Sequence, residues 1–309
     1  MVATRTQRRL SISTFRCRIL KIFILGGTGQ VGFELQRSLS VLGKISAPVR
    51  NELNLGSSIA VEAYLNKFRP DLIVNAAAWT AVDAAEENQS DCRRLNAELP
   101  EQLAGYAVAN NVQLIHYSSD YVYPGDGVEP WLESSITGPL SVYGQTKLAG
   151  DLAIQNSGAK YLILRTSWVY SARANNFMKT MLRLAESKTE LNVVSDQFGA
   201  PTPARLIAAL TTFAVYKNIE SGIYHLCPRG ETSWHGFAQA IFTVAKQTGK
   251  KLIMGAENVR AITTSDYPTP AQRPLNSRLA ITKLEQALET QLPDWHSQLV
   301  VTLKEYLEK

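Results

Sequence analysis

Three side chains in the 309-residue sequence are of types that together can move a proton: Ser119, Tyr143 and Lys147. Tyr143 and Lys147 stand four residues apart, which on a helix puts them on one face. A phenol titrates near pH ~10, and a neighbouring ammonium favours its ionised form. The pair is therefore suited to hand a proton to a carbonyl oxygen near neutral pH. Ser119 would hydrogen-bond the same oxygen, and Lys147 would also hold a cofactor's ribose. In isolation such a pair is equally compatible with a solvated contact on a helix surface. Its meaning comes from Gly26-Gly27-Thr28-Gly29-Gln30-Val31-Gly32 upstream, where G-x-x-G-x-x-G (Gly26, Gly29, Gly32) and a G-x-G-x-x-G beginning at Gly27 are nested. Glycine permits a tight turn and lets the backbone approach a pyrophosphate, whose charge meets the N–H groups that open the next helix. A phosphate cradle followed by Ser, Tyr and Lys implies hydride transfer.

These groups need elements to hold them. Lys21–Leu25 reads as a buried strand that ends at Gly26, and Val31, Leu35, Leu39 and Leu42 recur at helical spacing. A second strand lies near Ile45, and others at Asp71–Asn75, Val112–Tyr117 and Tyr161–Arg165. An Ala- and Glu-rich helical stretch runs from Val82 to Asn110, and another from Tyr143 to Asn156. Strand–helix–strand repetition requires right-handed crossovers and parallel pairing. The expectation is an α/β fold: a Rossmann-like doubly wound parallel sheet over residues 21–168, with a smaller C-terminal substrate-binding lobe mainly over 169–309. Parts of 190–226 should return to the first domain. Pro201–Pro203 and Tyr267–Pro274 read as ordered loops.

The glycine fingerprint calls for an acid about 20 residues on, to grip the ribose hydroxyls of NAD. The second strand instead runs into Pro48-Val49-Arg50-Asn51. Arg50 is the basic side chain best placed for a 2′-phosphate, which points to NADPH. The adjacent Glu52 keeps NADH as the alternative. Cys17, Cys92 and Cys227 make no C-x-x-C pair, and this usage fits a reducing cytoplasm. His116, His225, His235 and His296 have no ligand spacing and read as structural residues, so no metal is expected. The longest apolar run, Leu206–Tyr216, is too short to span a bilayer. The net charge of +5 resembles that of a nucleic-acid binder, yet five arginines and no acid fall in residues 1–20. The remaining chain carries 27 basic and 27 acidic residues. The excess belongs to a flexible basic leader whose removal (residues 1–18) should leave activity intact, and neither nucleic acid nor membrane is an expected partner.

The order of features resembles the extended short-chain dehydrogenase/reductases and, within them, the dTDP-4-dehydrorhamnose reductase family. The likeness is carried by Gly29-Gln-Val-Gly with Glu34-Leu-Gln, Val74-Asn-Ala-Ala-Ala78 with Thr80-Ala-Val-Asp83, Ser119-Asp-Tyr-Val-Tyr123 and Tyr143-Gly-Gln-Thr-Lys-Leu-Ala-Gly150. It continues through Arg165-Thr-Ser-Trp-Val-Tyr170, Asn175-Asn-Phe177, Asp196-Gln-Phe-Gly-Ala-Pro-Thr202, Tyr267-Pro-Thr-Pro270, Arg273-Pro and Asn276-Ser-Arg-Leu279. The resemblance implies NADPH-dependent reduction of the 4-keto group of a dTDP-sugar to give dTDP-L-rhamnose. It implies Tyr143 as proton donor, Lys147 orienting cofactor and phenol, and Ser119 where the family usually has Thr. By the same analogy Gly26, Gly29, Gln30, Val31, Gly32, Asn54, Leu55, Ala76, Ala77, Ala78 and Tyr117 flank the cofactor, with Arg50 added by the argument above. Val82, Ser119, Asp120, Tyr121 and Trp168 would line the sugar-nucleotide side, with Lys179, Arg183, Arg273 and Arg278 as candidate pyrophosphate partners. Some members dimerise through glutamates around Mg2+; Glu34 matches one such position, but Arg205 stands where a second acid belongs, so Mg2+ is not expected. Monomer and homodimer both remain open. A nucleotide-sugar epimerase or dehydratase with tightly held NAD shares the scaffold, as does a non-catalytic dinucleotide-binding regulatory subunit.

Overall fold

The computed structural model describes residues 19–308, so the basic leader lies, up to Arg18, outside the described residues. The chain opens with β1 (Leu20–Leu25), α1 (Gln30–Leu39), β2 (Gly43–Ser46), α2 (Ser58–Phe68) and β3 (Leu72–Asn75). Helices α3 (Val82–Glu87), α4 (Gln89–Arg93) and α5 (Leu99–Asn110) lead to β4 (Gln113–Ser119), α6 (Val142–Asn156) and β5 (Tyr161–Thr166). The short strands and helix β6 (Val169–Tyr170), α7 (Phe177–Ala185), β7 (Leu191–Val194), β8 (Phe198–Gly199) and β9 (Thr202–Pro203) follow. The chain then returns to the main sheet through α8 (Ala204–Lys217) and β10 (Gly222–His225). The order is completed by β11 (Thr232–Ser233), α9 (Trp234–Gln247), β12 (Val259–Ile262), β13 (Asn276–Ser277), α10 (Thr282–Leu288) and α11 (Trp295–Leu307).

Six strands pair in the order β10-β5-β4-β3-β1-β2, every pair parallel. The period-2 alternation of a strand sorts their side chains onto two faces. Ile22, Ile24, Leu72, Val74, Ile115, Leu162 and Leu164 pack with Leu35 and Leu39 of α1 and Leu206, Ile207 and Leu210 of α8. Phe23, Leu25, Ile73, Leu114 and Ile163 face Val61 and Leu65 of α2, Leu99 and Leu103 of α5 and Ile154 of α6. Both faces are covered, which is why these strands are nearly continuous apolar runs. The sheet is doubly wound. Its strand order reverses between β1 and β3, so a crevice opens at their carboxyl ends, where ligands of such sheets bind.

The helical stretch expected from Val82 to Asn110 is divided among α3, α4, a π-helical segment and α5. The chain turns at Asn88 (φ −109°, ψ 49°), whose Nδ2 donates to the Ala84 carbonyl, and passes through Arg94–Glu98 as a π-helical segment. That segment presents Asn96, which accepts the Trp79 N–H at 2.9 Å and donates to the Trp79 carbonyl at 3.1 Å. Gly150 of α6 lies against the Asn96 carbonyl, where a Cβ would overlap. A widened turn keeps an apolar helical period, so the pattern did not reveal it. The Pro201–Pro203 loop likewise contains β9, which pairs with β6, and Pro203 opens α8.

A second core gathers Met178, Met181 and Leu182 of α7, Phe237, Ile241 and Phe242 of α9, and Leu299 and Leu303 of α11. Phe237 is its hub, with ring centroids 5.3 Å from Tyr170, 5.5 Å from Phe177 and 6.2 Å from Trp295. Phe237→Ala should cost about 3–5 kcal/mol in urea unfolding, the range for a buried aromatic whose cavity cannot collapse. A cost below about 1 kcal/mol would show that this lobe repacks freely.

Candidate active site

The glycine turn leaves β1 with Gly26 at φ +78°, a conformation open to glycine. A Cβ there would stand 2.7 Å from the Ala76 carbonyl and the Ala77 nitrogen, and one at Gly32 would overlap the Gly26 carbonyl. The turn is thus pressed against the end of β3 and the start of α1 alike. Gly29 donates to the Gly26 carbonyl at 2.9 Å and occupies the N-cap of α1, which no side chain caps. The first N–H groups of α1 are left for an anion. Thr28, Gly29 and Phe33 border a cavity of about 460 Å³ closed by Ala172, Arg173 and Ala174. The Arg173 guanidinium lies 3.4 Å from the centre of the Phe33 ring. The Gln30 carboxamide accepts from Ser171 Oγ at 3.0 Å and from Asn176 Nδ2 at 2.9 Å. A cradle that excludes side chains, an uncapped helix start and a nearby guanidinium fit a dinucleotide pyrophosphate.

Around this turn, Val31 is half-buried on α1, and Ala76, Ala77 and Ala78 carry the chain out of β3. Arg50 is exposed on the loop after β2, and among the described residues no ion pair engages it. Asn54 Oδ1 accepts the Gly56 N–H at 3.0 Å, and Leu55 packs at the edge of the α2–α5 core. Tyr117 lies at the end of β4 beside Lys147. Its hydroxyl is buried against Thr211 of α8 at 2.7 Å, and its carbonyl accepts from Lys147 at 2.6 Å.

At the end of β4, Ser119 donates to Asp120 Oδ1 at 2.9 Å and accepts the Tyr121 N–H at 3.2 Å. Ser141 caps α6 by accepting the Gly144 N–H, which fixes the first turn that carries Tyr143. Tyr143 lies beside Ser119, and its ring meets Tyr121 edge-on at 5.3 Å. Burial raises the Tyr143 phenol above its ordinary range, while Ser119 opposes the shift. The sequence predicted instead that Lys147 would lower it. Lys147 is 1% exposed, and its ammonium donates to the Tyr117 carbonyl at 2.6 Å, with His116 Nε2 at 3.3 Å. Desolvation brings Lys147 itself down to about 8, with Asp151 acting against it.

The opposite wall comes from the second lobe. Arg273 reaches Asp83 Oδ2 at 2.6 Å and the Tyr121 hydroxyl at 3.4 Å, and the Ala271 N–H bonds Asp83 Oδ1. This ties the Pro-rich loop to α3 beside Val82. Tyr121 is pushed up to about 12, chiefly by burial. Trp168 adopts a left-handed backbone (φ +49°) and stacks on Trp234 at 3.8 Å. Of the four candidate cations only Arg273 borders the Tyr121–Tyr143 pair. Arg278 is paired with Glu231, and Lys179 and Arg183 line a separate cavity beside Tyr306. Glu34 is paired with Arg37, and Arg205 donates to Gln298. Sequence reasoning gave no site role to His116, Asp151 and Arg165, which lie buried behind Lys147. Their signal was polar residues within otherwise apolar strands and a carboxylate one turn beyond Lys147.

A doubly wound dinucleotide fold with Ser, Tyr and Lys converging at the end of β4 defines an oxidoreductase of the short-chain dehydrogenase/reductase type. The chain matches the RmlD substrate binding domain over residues 20–308. It is 47% identical over 284 residues to dTDP-4-dehydrorhamnose reductase of Shigella flexneri, covering 89% of this chain and 94% of that protein. It is 40% identical over 298 residues to that of Burkholderia thailandensis, covering 94% and 100%. The crystal structure of dTDP-4-dehydrorhamnose reductase from Bacillus anthracis in complex with NADP superposes with a TM-score of 0.86 at 30% identity, covering 93% of this chain and 100% of that one. The chain belongs to the dTDP-4-dehydrorhamnose reductase family. Among the described residues no helix is long and apolar enough to cross a membrane.

Asp120 gives this site a pH signature. Burial pushes its carboxyl up to about 6, against the nearby Ser277 hydroxyl, the hydrogen bond from Ser119 and the backbone. An unfolded Asp titrates near ~3.9, so the native state binds this proton more tightly than the unfolded chain. The stability it contributes is present at low pH and lost as pH rises through about 6, by about 3 kcal/mol once both states are ionised. Asp120→Asn removes the ionisation. Relative to the parent protein its unfolding free energy should rise by about 2 kcal/mol between pH 4 and 7.5 in urea titrations. Parallel stability curves would show that the carboxyl is not held up by burial.

Proposed function

We propose that this protein reduces the 4-keto group of dTDP-4-dehydro-L-rhamnose to the alcohol of dTDP-L-rhamnose with NADPH as reductant. The observation that carries this reading is the buried Tyr143 phenol beside Ser119 at the crevice mouth, in a chain that matches its curated relatives along nearly their whole length. The bound dihydronicotinamide supplies a hydride to the carbonyl carbon. Tyr143 gives its hydroxyl proton to the carbonyl oxygen. A phenol held above its ordinary range stays protonated through neutral pH, which suits an acid in the reductive direction. The Ser119 hydroxyl, now turned to Asp120, is the donor that orients the same oxygen. Lys147 holds the cofactor's ribose and serves Tyr143 as its proton neighbour.

Gly26, Gly29, Gln30, Val31 and Gly32 cradle the pyrophosphate, with Asn54, Leu55 and Ala76–Ala78 along the adenosine and nicotinamide. Val82, Asp120, Tyr121 and Trp168 receive the sugar nucleotide, and Arg273 meets its diphosphate. Arg50 contacts the 2′-phosphate. A nucleotide-sugar substrate of this kind is made in the cytoplasm, where we place the enzyme, acting as a monomer or homodimer.

With dTDP-4-dehydro-L-rhamnose, Tyr143→Phe should lower kcat for NADPH oxidation by about 10²–10⁴ with cofactor affinity retained. No NADPH consumption by the unaltered protein would refute the reductase reading. Substantial activity of Tyr143→Phe would refute the proton-donor role alone. Arg50→Ala should lower kcat/KM for NADPH relative to NADH by roughly tenfold, one charge-assisted hydrogen bond. An unchanged ratio would remove Arg50 from the cofactor site.

A further inference from the structure

Behind Lys147, between the sheet and α6, lies a polar layer closed to solvent: Asn75 of β3, His116 of β4, Arg165 of β5 and Asp151 of α6, none more than 2% exposed. Strand register brings them together. Asn75 pairs with His116 across β3 and β4, and Arg165 pairs with Ser118 across β5 and β4. Alternation turns Asn75, His116 and Arg165 to the α6 face.

The hydrogen bonds of this layer fix where the imidazole proton resides. Asn75 Oδ1 accepts the Ala77 N–H at 3.2 Å, so the Asn75 amide nitrogen faces His116 Nδ1, at 3.1 Å. An amide nitrogen only donates, so Nδ1 is the acceptor and the ring proton is on Nε2. That Nε2–H has two groups before it: the Lys147 nitrogen at 3.3 Å and Asp151 Oδ1 at 4.0 Å. An amine can receive the hydrogen bond, whereas an ammonium has no lone pair to do so. Asp151 Oδ2 is held by Arg165 Nε at 3.0 Å, and Oδ1 has no hydrogen-bond partner among the described residues.

Taking Tyr143 and Lys147 as the catalytic pair of the proposed reaction, we propose that His116 and Asp151 are positioning residues that let Lys147 change its protonation state inside the protein. The His116 Nε2–H rests on the lysine when it is an amine and turns to Asp151 Oδ1 when it is an ammonium. Each state then leaves fewer buried groups unsatisfied, and an unmade hydrogen bond is the larger cost in such a layer. The titratable and charged groups facing Lys147 are His116 of β4, Asp151 of its own helix and Cys92 of α4, with Arg165 of β5 behind Asp151. Burial, and next the Lys147 charge, holds His116 well below its ordinary range, so the imidazole stays neutral throughout.

The test is long-range 1H–15N correlation NMR on the full chain with 15N-labelled histidine, free of substrate and cofactor, His116 being assigned by its loss in His116→Gln. The expected result is the Nε2–H tautomer at pH 7, with a His116 Nε2 shift that titrates near pH 8 as Lys147 loses its proton. In Asp151→Asn, which keeps an oxygen for Arg165, that midpoint should fall by about one pH unit because the charge favouring the ammonium is gone. The alkaline limb of kcat/KM should move with it. A Nδ1–H tautomer, or a midpoint unmoved in Asp151→Asn, overturns the proposal. A merely structural pair would lower activity equally at every pH. Should Asp151→Asn fail to fold, the tautomer in the unaltered protein still decides. The NMR readings need no turnover, so failure of the reductase reading would leave them intact and appear only as absent NADPH oxidation.

Discussion

The site depends on a buried ion pair. Asp151 and Arg165 meet at 3.0 Å with almost no exposure to water, one on the helix that carries Tyr143 and Lys147, the other on the strand beneath it. Taking two such charges out of water costs several kcal/mol each, and their attraction offsets this only in good geometry. The pair is therefore a poor source of stability and a strong source of register. A slip of α6 along β5 would strand both charges in a low-dielectric layer. The pairing extends further, since Arg165 donates to the Tyr123 hydroxyl at 2.8 Å and Tyr123 meets His225 Nε2 at 2.6 Å. His225 Nδ1 in turn reaches the Ala280 carbonyl. One chain of hydrogen bonds thus runs from the helix of the reacting groups to the strand that returns from the second lobe. His225, brought down to about 3 chiefly by burial, is a neutral link throughout.

A second constraint acts at the other end of the crevice. The glycine turn can lie against Ala76 and Ala77 only because Gly26 and Gly32 have no side chains. This contact sets the turn at the reversal of strand order, next to the end of β4 where Ser119 stands. Two unrelated devices, one steric and one electrostatic, place the cofactor cradle and the proton donor on one edge of the sheet. The second lobe adds the far wall through Gln30, bonded to Ser171 and Asn176, and through Asp83, bonded to Arg273.

What could be read from the sequence follows from how local each determinant is. Strands β1, β3, β4 and β5 are near-continuous apolar runs, and the Gly26–Gly32 turn is a local pattern, so both were legible along with the parallel sheet. Tyr143 and Lys147 needed only helical spacing. His116 was read as a structural residue because its role depends on which strand lies beside β4 and which helix covers it. Asp151 lay in plain view one turn beyond Lys147, but its meaning requires Arg165, which pairs with it only once α6 is laid across β5. The π-helical turn at Arg94–Glu98 left no mark on the apolar pattern. Lys147 acting on Tyr143 was the natural reading of an i, i+4 pair. In the folded chain desolvation sets the direction instead, a property of the surroundings rather than of the spacing.

Gly29 leaves one further consequence. Side-chain oxygens of Ser57, Ser141, Asn176, Ser233 and Asp294 finish the starts of α2, α6, α7, α9 and α11, while α1, like α3, α4, α5, α8 and α10, has none. An anion bound at that turn does for α1 what those residues do for their own five helices. The polypeptide has left one piece of its own secondary structure to be completed by a metabolite. Its resistance to unfolding is then a function of how much of that metabolite, oxidised or reduced, the surroundings hold.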